Sequence, residues 1–414
     1  CQDSVDNTML DDSELCYDNV DCQKCYQTSY SVDCANCRNV YFSNNCVDCS
    51  DCFGCVNLRS QKYHIFNKPY SKEEYTETIK SLEINSYKSI HKIKQEAIEF
   101  WKKFPKKYVH EKHNNNVSGD YIYNSKNTHN SFIVADIEDS KFCAYITAGG
   151  KTTDSYDFTH YGVNTELMYD TILSGYSYNI KFGFFTTLQS RNVEYSLFCS
   201  GSKDCFGCVG LKNKQYCILN KQYEKVDYEA QVEKIKRHMA DVPYVDKQGL
   251  IYKYGEFYPI ELSPFGYNAA TSQEYFPLIK EEVIKRGYTW KEPEDKNYKL
   301  DIMSENLPDT ISGVDDTILS QVIGCEHGGE CEEACMTAFK IVPNELQFYK
   351  RMNIPIPRQC SNCRYFNRNK FRNPMKLWHR KCMKSGCEIE FETSYSPDRP
   401  DIVYCEKCYQ QEVY

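Results

Sequence analysis

Short runs of alternating hydrophobic and polar residues recur at an even spacing from the start of the chain to about residue 223. The step is twelve positions at Cys22-x-x-Cys25, Cys34-x-x-Cys37 and Cys46-x-x-Cys49, and eleven to thirteen positions at Asn179, Asn192, Asp204 and Gln215. Each step holds a few Tyr, Phe, Cys or Val positions bounded by Asn, Asp, Ser or Gly, which is typical of short strands joined by turns. The pattern predicts a mainly β chain built as a β-solenoid with one rung per repeat. A β-sandwich is the alternative, although so short a step leaves little room for two strands and two loops.

The repeated region is itself duplicated. Residues 51–70, DCFGCVNLRSQKYHIFNKPY, recur at 204–223 as DCFGCVGLKNKQYCILNKQY, an offset of 153. Similar segments, GDYIYNSKN and DSKFCAYI, lie ahead of the second match, between 119 and 146. We therefore expect two homologous solenoid copies, at 1–70 and 118–222. We also expect that the first copy is truncated at its N-terminal end, so that something preceding Cys1 is missing from this chain.

Helical patterns follow each copy. Ser71-x-x-Glu74 is a capping box, and hydrophobic residues continue at helical spacing until Pro105. They predict a helical connector at 71–117, a closing helix at 223–250 and an irregular aromatic linker at 251–320 with a short helix near 277–286. The residues of the two hydrophobic stripes are Ile90, Ile93, Ala97, Phe100, Trp101 and Phe104, then Tyr228, Val232, Ile235 and Met239. A helix at the end of each copy would cover the last exposed strand edge.

The composition narrows the function classes. The 414 residues include 24 cysteines, yet a chain of this length does not need disulfides to fold and shows no secretory signal pattern. No apolar run approaches about 18 residues, so no membrane-spanning helix is expected. The net charge of −8 is unevenly distributed. Residues 350–384 hold eleven Lys and Arg and no Asp or Glu, whereas the rest of the chain holds the remaining 39 basic side chains and all 58 acidic ones.

The last four cysteines have the spacing of a zinc ribbon. Cys382-x4-Cys387 and Cys405-x2-Cys408 are separated by residues 388–404, which are mostly strand-like. Two short loops joined by a β-hairpin place two sulfurs on each side of a tetrahedral metal ion. Two structural disulfides are the alternative.

A second cysteine set lies just upstream, in the same region 321–414. Cys331-x3-Cys335 and Cys360-x2-Cys363 are separated by residues 336–359. Cys325 and His327 are alternate ligands, and Cys325 in place of Cys331 is the main alternative. Neither set has the three-ligand arrangement with an open position that catalytic zinc requires. We expect a double zinc-ribbon module with two structural Zn²⁺ sites.

The cysteines of the repeats form a different class. Cys25, Cys34 and Cys37 correspond through the offset of 153 to Tyr178, Thr187 and Ser190, so the second copy manages without these thiols. A buried cysteine behaves as a small hydrophobic residue, and a ladder of stacked core thiols is the favoured interpretation. The alternative is a metal ion held between rungs by Cys22, Cys25, Cys34 and Cys37.

The basic segment 350–384 interleaves cations with aromatic rings. Cations can neutralise phosphates while aromatic faces stack on exposed bases, which predicts contact with nucleic acid. The alternative is that the aromatic residues pack under the ribbons while the cations meet solvent or the acidic first solenoid, within or between molecules. The predicted contact residues are Arg364, Arg368, Lys370, Arg372, Lys376, Trp378, Arg380 and Lys381.

Three hypotheses for the function follow. The first is a non-enzymatic zinc-binding scaffold or binding protein whose ribbon region contacts nucleic acid, with RNA as the favoured form. The second is a structural assembly protein of a particle, filament or virion, which would depend on protein partners or self-association. The third is a carbohydrate-active β-helix enzyme, for which the acidic clusters are Asp11, Asp12 and Glu14, and Asp136, Glu138 and Asp139. No P-loop, G-x-S-x-G, H-E-x-x-H or dinucleotide fingerprint is present, so no catalytic residue is predicted.

Several strings resemble an uncharacterised family of zinc-ribbon proteins that is common in ultra-small candidate-phylum bacteria and has relatives in large viral genomes. They include DCFGCVGLKNKQYCILNKQY, YGEFYPIELSPFGYN, RNPMKLWHRKC and DRPDIVYCEKCYQQEVY, within residues 118–414. The resemblance implies no activity. It implies an intracellular, cytoplasmic origin and structural zinc on Cys360, Cys363, Cys382, Cys387, Cys405 and Cys408. The first knuckle varies in the family, and the Cys382 knuckle is longer here than the commoner C-x2-C.

Overall fold

The structure of the protein is a computed structural model that describes residues 1–292, 298–331 and 334–413. The described residues form 28 strands and eight α-helices, so the mainly β class predicted from the sequence is confirmed. Residues 293–297 of the predicted linker, and residues 332, 333 and 414 of the predicted ribbon module, lie outside the described residues.

Residues 1–70 form a stack of short parallel strands, here called the N-terminal stack. Each position pairs with the position twelve places later, as Val20 does with Val32 and Ser50 with Lys62. Every third residue from Asp3 to Phe66 has a positive φ, between +42° and +58° apart from Gly54 at +67°. The chain therefore turns a corner every three residues, and from Ser13 to Cys55 the residue after each corner is small and buried. The strands are β1 (Thr8–Asp11), β2 (Val20–Gln23), β3 (Arg38–Tyr41), β4 (Ser50–Phe53), β5 (Lys62–Ile65) and β6 (Lys68–Pro69).

The second repeated region forms a larger parallel sheet, here called the central stack. Thirteen strands, β8 to β20, hydrogen-bond in one sheet that is parallel except for the final hairpin β19–β20. Ile180, Val193 and Cys205 occupy equivalent positions in successive strands and are fully buried. The strands, preceded by β7 (Lys106–Lys107), are β8 (Glu111–Lys112), β9 (Asn115–Tyr123), β10 (Lys126–Ala135), β11 (Ile137–Lys141), β12 (Ala144–Ile146), β13 (Thr152–Thr153), β14 (Tyr156–Tyr161), β15 (Thr165–Ser174), β16 (Tyr178–Lys181), β17 (Arg191–Glu194), β18 (Lys203–Phe206), β19 (Gln215–Ile218) and β20 (Lys221–Gln222).

Helices follow both stacks, as the hydrophobic stripes predict. They are α1 (Lys72–Ser81), α2 (Tyr87–Trp101) and α3 (Lys225–Asp241). The capping box is present, because Ser71 Oγ accepts from the Glu74 amide and the Glu74 carboxylate accepts from the Ser71 amide. Tyr228 and Val232 of α3 pack in one cluster with Phe206 and Ile218 at the end of the central stack. Among the described residues, no helix combines the length and the apolar character needed to cross a membrane.

The rest of the chain is mostly irregular and carries short elements. They are β21 (Tyr244–Val245), β22 (Ile251–Tyr252), α4 (Thr271–Tyr275), α5 (Lys280–Lys285), β23 (Ile302–Met303), β24 (Ile323–Gly324), β25 (Ala338–Phe339), α6 (Pro343–Met352), α7 (Ser361–Asn369), β26 (Trp378–Lys381), β27 (Glu390–Thr393), β28 (Val403–Tyr404) and α8 (Glu406–Val413). The short helix predicted near 277–286 is α5, and Gly287 follows it with a φ of +69°.

The hairpin of the last cysteine set differs from the prediction. The sequence suggested a hairpin between the knuckles of Cys387 and Cys405, but β26 pairs with β27 across the Cys382 knuckle. β28 instead pairs in parallel with β7, far away in the sequence. Buried Asp401 lies just before β28, and its carboxylate is 3.3 Å from Lys106 Nζ on β7. This ion pair favours the pairing of β28 with β7.

The largest hydrophobic cluster joins the N-terminal stack to α1, α2, α6 and the segment around residues 302–356. A column of rings follows the repeat, and Tyr30 stacks on Phe42 with ring centroids 4.6 Å apart. Trp101 of α2 and Tyr349 of α6 are buried in the same cluster. The C-terminal part of the chain is therefore packed against the N-terminal stack.

Candidate metal centres and the basic segment

Four cysteines of the last knuckles come together as predicted for a metal site. Cys382, Cys387, Cys405 and Cys408 have sulfur atoms that all lie within 4.8 Å of one another. The Cys387 and Cys405 sulfurs are 3.9 Å apart, and four sulfurs placed tetrahedrally at about 2.3 Å from zinc are separated by about 3.8 Å. Gly386, with a φ of +78°, allows the turn that presents Cys387. This group could hold a metal ion, and its four-thiolate character is consistent with zinc.

The upstream group uses Cys325 in place of Cys331. The four sulfurs within 4.8 Å of one another belong to Cys325, Cys335, Cys360 and Cys363. The pairing of β24 with β25 accounts for this choice, because the Cys325 amide donates to the Thr337 carbonyl at 2.8 Å and so places Cys325 beside Cys335. The expected ligands Cys335, Cys360 and Cys363 are present, and Cys331 is replaced by the alternate.

Backbone amides and helix α7 complete the upstream group. Cys360 caps α7 and Cys363 lies in its first turn, with their sulfurs 3.5 Å apart. The Cys360 amide donates to Cys325 Sγ at 3.2 Å, and the Met336 amide donates to Cys360 Sγ at 3.4 Å. A hydrogen bond from the Cys325 thiol lowers the pKa of Cys360. These donors favour the thiolate, which is the form that binds a metal.

The cysteines of the stacks form ladders, and none of them belongs to a metal-ligand group among the described residues. In the described residues, every group of three or more potential ligands lies between Cys325 and Cys408. Cys22, Cys25, Cys34 and Cys37 form no such group, although they are buried. Their thiols donate to backbone carbonyls, as Cys22 does to Val20 at 3.5 Å. This arrangement favours the interpretation of these thiols as small core residues.

The first two arginines of the basic segment face aspartates of the N-terminal stack. Arg364 Nε lies 3.1 Å from Asp6 Oδ2, and Arg368 Nη1 lies 3.6 Å from Asp6 Oδ1 and 3.7 Å from Asp18 Oδ1. Asp6 and Asp18 are one repeat apart, which separates them by the strand spacing of about 4.8 Å. Arg364 and Arg368 are about one turn of α7 apart, and the helix pitch of about 5.4 Å nearly matches that spacing. Only 6% of the Arg368 side chain is exposed. Burial raises the pKa of Asp6, although both arginines act to lower it.

Arg372 lies between the two stacks. Its Nε is 3.6 Å from Asp21 Oδ2 of the N-terminal stack. Its guanidinium lies 5.8 Å from the ring centroid of Tyr145 and 5.9 Å from that of Tyr121, both in the central stack. Burial and the neighbouring Asp33 carboxylate raise the pKa of Asp21 to about 7, against the effect of Arg372. The arginine therefore joins the two stacks.

The other predicted contact residues are engaged or exposed in different ways. Lys370 is exposed and donates to Asn367, and Lys376 lies over the Trp378 ring at 5.1 Å. Arg380 donates to the carbonyls of Tyr395, Ser396 and Asp401. Lys381 pairs with Glu388. The eight residues therefore do not form one exposed basic surface. The aspartates of the N-terminal stack account for this, because Asp6 and Asp18 lie against the arginines of α7.

A buried polar cluster lies beside Arg372, and no sequence motif predicted it. His110 Nδ1 is 3.0 Å from Asp120 Oδ1, and its Nε2 is 3.7 Å from Asp33 Oδ2. Tyr121 stacks on the imidazole at 4.2 Å, and Ser394 Oγ donates to the Asp120 carboxylate. Burial acts to lower the pKa of His110, but the two carboxylates outweigh it and raise the pKa to about 10. A protonated His110 thus contacts both stacks, and Ser394 links the segment after β27 to the same polar cluster.

A cavity of about 530 Å³ opens where the basic segment meets the central stack. Tyr145 and Tyr275 form part of its wall and stack on each other at 4.6 Å. Lys370, Arg372 and Asn373 contribute polar groups to the same wall. A cavity of this size, with aromatic walls and a few polar groups, is typical of small-molecule sites.

Comparisons with known proteins add little to this description. No family model matches the chain, and no curated protein matches it. Among solved structures, a chain described as a "putative acetyltransferase" from Desulfovibrio desulfuricans G20 is 11% identical. The match covers 58% of this chain and 72% of that chain at a TM-score of 0.11. A superposition of this quality carries no argument about fold or activity, so the function has to be argued from the geometry alone.

Proposed function

We propose that the protein is a non-enzymatic scaffold in which two β-solenoids are held together by a C-terminal module with two structural zinc sites. The solenoid assignment is supported by the parallel register, which advances by twelve positions per turn, and by the corner at every third residue of the N-terminal stack. Such a coil repeats one small unit per turn and buries its core only by stacking on its neighbours. The zinc assignment is supported by the two tetracysteine groups.

The observation that carries the proposal is the position of Arg372 and its neighbours between the stacks. Arg372 contacts Asp21 on one side and Tyr145 on the other. Asn373 and Ser394 then bind the carboxylate of Asp120 in the central stack. Charged groups buried this deeply are stable only when partners compensate them. The C-terminal module therefore holds the two stacks together through polar groups that contact residues of both.

Chelation of the metal tests this scaffold. Removing zinc from the full-length protein is expected to raise amide hydrogen exchange in α7 and β26–β28, because the cysteines of the two groups lie in or next to these short elements. Strands β17–β19 should keep their protection, since their ladder is continuous within the central stack. Hydrogen-exchange mass spectrometry before and after chelation measures both regions. Unchanged exchange around residues 360–408, or purified protein without zinc, would contradict the proposal.

A second candidate function is contact with nucleic acid, which the cavity beside the basic segment favours. Lys370 lines the cavity, and Lys376 lines an adjoining one that shares Tyr275. Aromatic walls next to exposed cations suit the stacking of a single-stranded base and the neutralisation of its phosphates. The buried arginines of α7 are not part of this candidate. Its contact residues are instead Lys370 and Lys376 with the two stacked tyrosines.

Gel shifts with a single-stranded RNA test the second candidate. Replacing Lys370 and Lys376 with alanine should weaken binding and reduce the slope of log affinity against log salt by about 1 to 2, because two phosphate contacts are lost. Lys381→Ala is the control, since Lys381 is a cation of the same segment that lines neither cavity. An equal affinity and slope in the double variant, or no shift by the unaltered protein, would exclude this candidate.

A further inference from the structure

A fifth thiol and a histidine lie beside the upstream tetracysteine group. One ring nitrogen of His327 and the sulfurs of Cys331 and Cys363 all lie within 4.8 Å of one another. Cys363 therefore belongs to two ligand groups, that of Cys325, Cys335 and Cys360 and that of His327 and Cys331. Cys331 is half-buried, whereas the four cysteines of the first group are buried.

The distances fit a sulfur shared between two metal ions. Cys331 Sγ lies 3.7 Å from Cys363 Sγ, and Cys325 Sγ lies 3.9 Å from the same atom. Both values are close to the separation of about 3.8 Å between two sulfurs bound to one tetrahedral zinc ion. Cys331 is nevertheless outside the set of four mutually close sulfurs. Its position suits a neighbouring ion that also uses Cys363.

Polar neighbours position the histidine. Gln359 Nε2 lies 3.2 Å from His327 Nε2 and donates to Glu326 at 3.0 Å. Asn367 of α7 in turn donates to Gln359 Oε1 at 2.7 Å. The chain thus links His327 to the same helix that carries Cys363.

We propose that His327, Cys331 and a bridging Cys363 thiolate bind a second divalent ion, of the zinc class, next to the ion of the upstream tetracysteine group. Thiolate and imidazole ligands select borderline-soft ions such as Zn²⁺. Three protein ligands leave one position for water or an external ligand, so this ion exchanges faster than the two structural ions. The second ion also offsets the negative charge that four thiolates leave around one Zn²⁺. The inference rests on the proposed zinc content of the upstream group.

Metal analysis of the full-length protein tests the second ion. The protein purified with zinc is expected to contain three ions per chain, and His327→Ala and Cys331→Ser are each expected to contain two. A weak chromophoric chelator should remove one ion quickly from the unaltered protein and none quickly from the two variants. His379→Ala is the matched control, because His379 lies in the same region but pairs only with Glu390 in the described contacts, and it should keep all three ions.

The outcomes separate this inference from the proposed function. Two ions in the unaltered protein and in both variants would overturn the second site and leave the scaffold intact. Two ions in the unaltered protein and one in Cys331→Ser would make Cys331 a ligand of the upstream ion, and would also overturn the second site. Fewer than two ions in the unaltered protein would count against the proposed function itself. Circular dichroism of the variants checks that the measured losses are not caused by unfolding.

Discussion

Replacing Cys405 with alanine is expected to remove one zinc ion per chain and to unfold the segment from about residue 376 to the C-terminus. Cys405 follows β28 directly, and its amide also donates to Cys382 Sγ at 3.3 Å. Structural zinc sites supply about 10–16 kcal/mol of apparent binding energy, which in small modules is folding energy. Ser394 and the pairing of β28 with β7 also hold the segment, but β26–β27 is a two-stranded hairpin and β28 is a very short strand, and such elements are marginal on their own.

The measurement combines metal analysis with limited proteolysis and mass spectrometry. New cleavage sites are expected within residues 376–413, while both stacks stay resistant. Cys199→Ala is the matched control, because Cys199 is also a buried thiol, but it packs in the core of the central stack and donates to backbone carbonyls. It should keep its zinc and lose only about 1 kcal/mol of unfolding free energy, the value of one small buried group. A Cys405→Ala protein with full zinc content and unchanged resistance would contradict the metal-dependent fold.

The repeat spacing and the cysteine spacing contain most of what could be predicted. The twelve-position step is enough to predict that Val20 pairs with Val32 and that Val32 pairs with Asn44. Short Cys-x-x-Cys loops likewise constrain two sulfurs locally, so Cys405 and Cys408 are predictable as one half of a site. These features depend on residues close together in the chain, where geometry follows from spacing alone.

The remaining features depend on pairings between distant residues. The spacing favours Cys331 over Cys325 as a ligand, and the pairing of β24 with β25 reverses that choice. The arginines of α7 show the same difficulty, because Arg368 and its hydrogen-bond partner Thr8 are 360 positions apart. An acid-free run of cations looks like a nucleic-acid contact when its acidic partners are not visible in the local sequence. In the folded chain those partners are the aspartates at the corners of the N-terminal stack.

Replacing Arg368 with methionine is expected to lower the free energy of unfolding by about 3–5 kcal/mol, the cost of breaking a buried ion pair by removing one partner. The methionine keeps much of the side-chain volume, so the main loss is the charge that compensates Asp6 and Asp18. Urea denaturation at neutral pH measures the effect. Lys340→Met, which replaces an exposed cation outside α7, is the control and should leave the unfolding midpoint within error.

The pH dependence and a second substitution separate charge from packing. Burial already raises the pKa of Asp6 in the folded chain, and removing Arg368 raises it further. A neutral carboxyl needs no cation, so the deficit of Arg368→Met should shrink as the pH falls through the raised pKa and be largest above it. Adding Asp18→Asn should recover part of the loss, because one uncompensated charge is then gone. A deficit that is constant with pH and unaffected by Asp18→Asn would assign the effect to lost packing. Arg368→Met with the stability of the unaltered protein would instead mean that the ion pairs do not hold α7 against the N-terminal stack.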